Sequence, residues 1–186
     1  MGTVKKAAMG LLAILAFACG TSKNSTLVTE ADIQALHSIV EEGNLEIRAQ
    51  WARPLLSSSM VAIANSGLLA PQNNAGRIDL TGNPAFLRMV GDSVSAYLPY
   101  YGERNMTTGY GNTNNAIQFE GTALDFELKE DEKSDGYVVN FNIANDSETY
   151  TVFARMLPGK YSTISVNSSH RQSINYSGEV LALNEE

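Results

Sequence analysis

Apolar positions recur at two spacings along the chain, and the change of spacing marks where a helix gives way to strands. From Val28 to Gly43 the period is helical, with Ile33, Leu36, Ile39 and Val40 on one stripe. Thr29 is a natural N-cap and Asp32 follows three residues later, as in a capping box. Val28 and Ile33 hold the hydrophobic-staple positions, and Gly43 ends the helix as a left-handed residue. His37 falls off the stripe and reads as a solvated side chain.

The period then drops to two. Leu45, Ile47, Ala49 and Trp51 alternate with Glu46, Arg48 and Gln50, which predicts a half-buried strand that Pro54 limits. Met60 to Ala64 reads as a second short strand ahead of a Gly, Pro and Asn-rich passage, Ser66 to Gly76. Ile78 to Leu80 and Phe86 to Val90 follow, and a Gly91-Asp92 turn leads into Val94, Ala96 and Leu98, which Pro99 stops. Asn105 to Asn115 has almost no apolar periodicity and reads as a long loop. Beyond it lies a meander: Ile117 to Glu120, Leu124 to Lys129, Tyr137 to Ile143, Thr149 to Met156, Tyr161 to Asn167, Arg171 to Tyr176 and a separate Val180 to Leu183. The turns between them carry Asp135-Gly136, Asn145-Asp146-Ser147 and Pro158-Gly159-Lys160. About eight to ten short strands at this spacing suit a closed or nearly closed antiparallel barrel, or a sandwich.

Composition narrows the class. Hydrophobic residues make up 44% of the 186 and charged residues 18%, a balance that supports a packed core and excludes global disorder. The net charge is −7, and no run of Lys or Arg interrupts it, so a nucleic-acid backbone is not an expected partner. Cys19 is the only cysteine, which excludes an intrachain disulfide framework and a thiolate metal cluster.

The position of Cys19 gives it a role of its own. Lys5-Lys6 is a basic start, and Ala7 to Ala18 is an apolar run too short to span a bilayer as a helix. Leu15-Ala16-Phe17-Ala18-Cys19 resembles a bacterial lipobox, with a bulky Phe17 and its leucine one place early. Residues 1–18 are therefore expected to be a signal peptide, Cys19 the acylated residue and 19–27 a small polar tether. Residues 28–186 then form one β-rich domain at the cell envelope, anchored by lipid and facing the periplasm from the outer membrane.

Candidate chemistry is sparse. Tyr97, Tyr100 and Tyr101 could form an aromatic rim on which a ligand stacks, with Arg104 beside them as an anion clamp; the alternative is packing at a barrel end. His170-Arg171 is expected to meet a carboxylate such as Glu120 or Asp125 in a structural ion pair. A hydrolase would need two converging carboxyl groups drawn from Glu103, Glu120 and Asp125. Ser57-Ser58-Ser59 lacks a Gly-x-Ser-x-Gly frame and reads as loop. With two histidines far apart and no thiol in the body, no metal or cofactor is implied, and no catalytic residue is assigned.

Three places together resemble domain-of-unknown-function family 4251, a family of bacterial envelope proteins: Tyr97-Leu98-Pro99-Tyr100-Tyr101-Gly102, the Ile117 to Gly121 strand, and Ser165-Val166-Asn167 through Arg171 to Tyr176-Ser177-Gly178. The resemblance implies a lipocalin-like β topology, as a barrel or half-barrel, in a lipoprotein or secreted protein. It implies no activity. Fold and compartment together point to a non-enzymatic binding module for a small apolar ligand or a protein partner, with an envelope-polymer hydrolase or a purely structural envelope-assembly protein as alternatives.

Overall fold

The computed structural model describes residues 28–105, 115–159 and 161–183, so the expected leader, Cys19, the expected tether and most of the Asn105 to Asn115 loop lie outside the described residues. Chain order is α1 (Glu30–Glu41), β1 (Asn44–Pro54), α2 (Ser58–Asn65), β2 (Ile78–Asp79), β3 (Phe86–Val90), β4 (Ser93–Leu98), β5 (Ile117–Thr122), β6 (Leu124–Asp131), β7 (Gly136–Asn145), β8 (Glu148–Met156), β9 (Tyr161–Ser168) and β10 (Ile174–Ala182). The strands form one antiparallel sheet in the order β5-β4-β3-β1-β10-β9-β8-β7-β6, with β2 added on β1. The expected antiparallel β architecture is thus present, as a sheet curled until its two edges nearly meet.

The seam between those edges is closed by side chains. Phe119 of β5 meets Phe141 of β7 edge-on at 6.1 Å and Tyr150 of β8 at 5.5 Å, while Phe126 of β6 stacks on Phe141 at 6.2 Å. The Asn145 side-chain amide donates to the Gln118 carbonyl across the same gap at 2.7 Å. Aromatic area and one amide bond stand where a closed barrel has a backbone ladder.

Inside, alternation sends Ile47, Leu87, Val139, Phe141, Val152, Ile164 and Val180 into a common core in which all are essentially buried. The interior is filled by side chains rather than hollow along its length. Outside, Glu46 sits between Arg48 and Arg88 at 2.9 and 2.8 Å, on the polar face that the alternation predicts.

α1 starts as the sequence indicates: the Thr29 hydroxyl accepts from the Asp32 amide at 3.2 Å, and the Asp32 carboxylate accepts from the Thr29 amide at 3.0 Å. Leu36 and Val40 bury against the sheet. His37 is not merely solvated. Its Nδ1 bonds the Tyr137 hydroxyl, the rings meet edge-on at 5.3 Å, and Nε2 lies 4.0 Å from Glu130, so the imidazole ties α1 to the β6–β7 hairpin.

Three local expectations are corrected. Met60 to Ala64 is the body of α2, not a strand: Ser57 caps it by accepting from the Met60 amide at 3.2 Å, which also gives the triple-serine run a helical role. Trp51 faces outward. β1 bulges between Ala49 and Trp51, and the extra residue, Gln50, flips the alternation so that Trp51 stacks under the Arg77 guanidinium at 3.5 Å. Finally, β10 runs unbroken through Ser177 and Gly178, where two segments were expected.

Candidate functional site

The tyrosine-rich corner after β4 folds back into the barrel end as a latch. Pro99 stops the strand, and Tyr100 turns inward until it is 2% exposed. Its hydroxyl proton lies between the Glu103 and Gln172 carbonyl oxygens, at 2.7 and 3.1 Å. Tyr176, on β10, donates to the Pro99 carbonyl at 2.9 Å. Burial raises the pKa of both phenols above the ordinary tyrosine range, so both stay neutral donors.

Arg171 holds the latch electrostatically. Its Nε and Nη2 donate to the two Glu148 oxygens at 2.8 and 3.2 Å, Nη1 donates to the Asn115 carbonyl at 2.9 Å, and the guanidinium carbon lies 5.2 Å from the Tyr100 ring centre. Asn115 in turn donates to the Tyr100 carbonyl at 2.9 Å, and Ser168 bonds the Glu148 carboxylate. Burial works to raise the Glu148 pKa, but hydrogen bonds from Arg171, Ser168 and Tyr150 outweigh it and hold the carboxyl below its usual value. Arg171 therefore pairs with Glu148, at the start of β8, and not with Glu120 or Asp125. A Cβ on Gly102 would come within 2.6 Å of the Tyr100 hydroxyl, so the glycine of the Tyr-Tyr-Gly turn leaves room for that bond.

The four residues expected to form one rim are divided. Tyr100 belongs to the latch. Tyr97 faces the outer wall on β4, and Tyr101 is half-buried near it, its phenol raised first by burial and then by Tyr97. Arg104 donates to the Asn115 side chain at 3.2 and 3.1 Å. The three candidate carboxylates occupy separate surroundings: Glu120 is exposed on β5, and Asp125 is exposed at a left-handed bulge of β6, where it accepts from Asn142 at 3.1 Å. Glu103 sits at the latch, where Ser59, Ser57 and Gln172 lower its pKa, the direction of a resting carboxylate and not of a general acid.

The site that sequence reasoning missed lies at the other end of β1. Where α1 turns into β1, a hollow of about 120 Å³ opens between the helix and the barrel mouth. Val40, Leu45, Met89, Val139 and Met156 form its floor and walls, with Phe126 and Leu128 from β6 at its side and Gly43 and Gly91 completing it. No charged or polar side chain lines it. Such a space takes an alkyl chain end or a ring and offers no group for acid, base or nucleophilic chemistry. A second groove, more open and larger at about 330 Å³, runs along the outer wall past Arg88, Ser95 and Glu120 and is mixed in polarity.

A filled, nearly closed antiparallel barrel with a buried ionic latch at one end and an apolar hollow at the other defines the class: a small β-barrel module whose recognisable sequence elements are structural. The model of the family described as Domain of unknown function (DUF4251) matches residues 28–180, and the chain belongs to that family. The crystal structure of a DUF4251 family protein from Bacteroides eggerthii DSM 20697, at 1.95 Å resolution, is similar with a TM-score of 0.53 and 14% identity over 84% of this chain and 91% of that one. No curated protein matches the chain.

Proposed function

We propose that the protein is an envelope lipoprotein, anchored through Cys19 to the outer membrane and facing the periplasm, whose body is a non-enzymatic module that takes a small apolar group. The observation that carries this reading is the wholly apolar hollow beside α1. Its volume is comparable to the engineered cavity of about 150 Å³ that stays dry and binds benzene. The filled core leaves no room for a larger guest deeper in the barrel, so a longer ligand inserts one end and leaves the rest at the mouth. The lipobox-like run at Leu15 to Cys19 and the basic, apolar leader ahead of it support the anchor.

Leu128 is 39% exposed at the rim of the hollow, so it can be enlarged without disturbing the core. Full-length protein is expected to enhance the emission of cis-parinaric acid saturably, and Leu128→Trp to abolish the enhancement while leaving the thermal midpoint nearly unchanged. Equal enhancement by the variant would place the probe elsewhere. No enhancement by the parent protein would favour the structural envelope role, which the filled interior also accommodates.

A further inference from the structure

The end of the barrel opposite the hollow carries a surface of different character. Leu55, Leu56, Val61, Ile63 and Leu68 are 39 to 79% exposed, and no other stretch of described residues exposes so many large apolar side chains. α2 accounts for the arrangement: it buries Met60 and leaves Val61 and Ile63 exposed, so this short helix is apolar on both faces. Leu56 lies against Gly76, where a Cβ would stand 3.5 Å from its Cδ2, and Arg77 follows directly, stacked on Trp51. The apolar patch and the Trp51–Arg77 pair are therefore contiguous.

Charge follows the same division. From Ile47 to Ile78 the chain has Arg48, Arg53 and Arg77 and no acidic residue, within a sequence of 20 acidic and 13 basic residues. Arg48 is held by Glu46, which leaves Arg53 and Arg77 as the arginines of this end; the other nearby carboxylates are engaged locally, Asp79 with Thr81 and, electrostatically, Arg77, and Glu103 with Ser59, Ser57 and Gln172. An uncharged apolar tip flanked by arginines and one tryptophan, on an otherwise acidic body, complements an anionic bilayer: the apolar side chains enter the acyl boundary, the indole lies at the headgroup level, and the arginines reach phosphates.

We infer that the α2 end of the barrel is a peripheral membrane-docking surface that seats the body on an anionic lipid bilayer. The inference does not rest on ligand capture in the hollow, nor on acylation of Cys19. Because the patch follows β1 and the hollow precedes it, docking leaves the hollow's mouth directed away from the lipid.

Trp51 is the only tryptophan in the chain and reports on the contact directly. Full-length protein is mixed with phosphatidylcholine–phosphatidylglycerol vesicles containing brominated phosphatidylcholine. Trp51 emission should shift to the blue and be quenched. Quenching should weaken in phosphatidylcholine alone and in about 0.5 M NaCl, where headgroup attraction is screened. It should fall to background in the triple variant Leu56→Ser/Ile63→Ser/Leu68→Ser, whose fold is checked by far-ultraviolet circular dichroism. Arg53→Glu, a change at one exposed side chain, should weaken binding to anionic vesicles and not to neutral ones, and it decides the matter if the triple variant fails to fold. Unquenched Trp51 in the parent overturns the inference. So does quenching that survives the apolar substitutions, because the leader or anchor alone would then hold the protein. A lipid-independent dimer that the triple variant dissociates would assign the patch to a second copy of the chain and would equally overturn it.

Discussion

Arg171→Ala is expected to cost about 3–5 kcal/mol of folding stability, the range for removing one partner of a buried ion pair. The Arg171 and Glu148 side chains are 5 and 8% exposed, so the truncation leaves a carboxylate in a site without solvent. It also removes the donor to the Asn115 carbonyl and the cation over Tyr100, which loosens the corner that closes this end of the barrel. A thermal midpoint lower by about 10 °C follows for a domain of this size. The cost depends on pH in a definite sense. Glu148 is held below its ordinary pKa in the folded protein, so the stability it contributes is complete above the unfolded carboxyl value of about 4.3 and is lost as pH falls through the folded value. Urea unfolding should show a large gap between parent and variant at neutral pH, and a narrower one in acid once the orphaned carboxyl is protonated. A gap below about 1 kcal/mol at neutral pH would mean the pair behaves like an exposed salt bridge, and the latch would lose its assigned role.

Gly178→Ala is the second large effect, and its cause is steric. Gly178 stands opposite Ala49, just before the β1 bulge. A Cβ there would overlap the Arg48 carbonyl oxygen and approach its carbon to 2.8 Å and the Ala49 Cα to 2.9 Å. These are backbone atoms in the ladder between β1 and β10, so relief requires separating the two strands. The loss should reach about 3 kcal/mol or more, the upper range for overpacking, and circular dichroism with urea unfolding will measure it. Because β1 is also bulged here, the variant should lose the Trp51–Arg77 stack and change the tryptophan emission maximum. A variant as stable as the parent would show that the close approach is not required.

Much of the architecture was legible because the inward residues of β3, β4 and β8 to β9, of β7 from Val139 to Ile143, and of β1 as far as Ala49, alternate cleanly. Trp51 was misplaced because a bulge has no signature in the β1 sequence, yet it reverses every face beyond it. Val61 and Ile63 favour strands, but the Ser57 hydroxyl on the Met60 amide and the burial of the Met60 side chain select a helix. The Tyr-Tyr-Gly and Arg-to-Tyr elements were visible as a pair, and the structure supplies the reason: Tyr100, Arg171 and Tyr176 are parts of one latch. Glu148 was not visible as their partner, since the pairing depends on the register that brings the start of β8 to the β9–β10 turn. The hollow was invisible for a related reason. Its wall residues all read as core, and only the docking of α1 determines that space remains between them.

Two methionines line the hollow, Met89 and Met156, and a third, Met60, is buried under α2 at the opposite end of β1. Methyl-labelled methionine spectra of the full-length protein, titrated with a short fatty acid, therefore test the central claim in one measurement. Saturable shifts of the Met89 and Met156 methyls with Met60 unmoved are the predicted result. Movement of Met60 alone, or of no methyl at saturating ligand, would contradict the assignment of the hollow as a binding site.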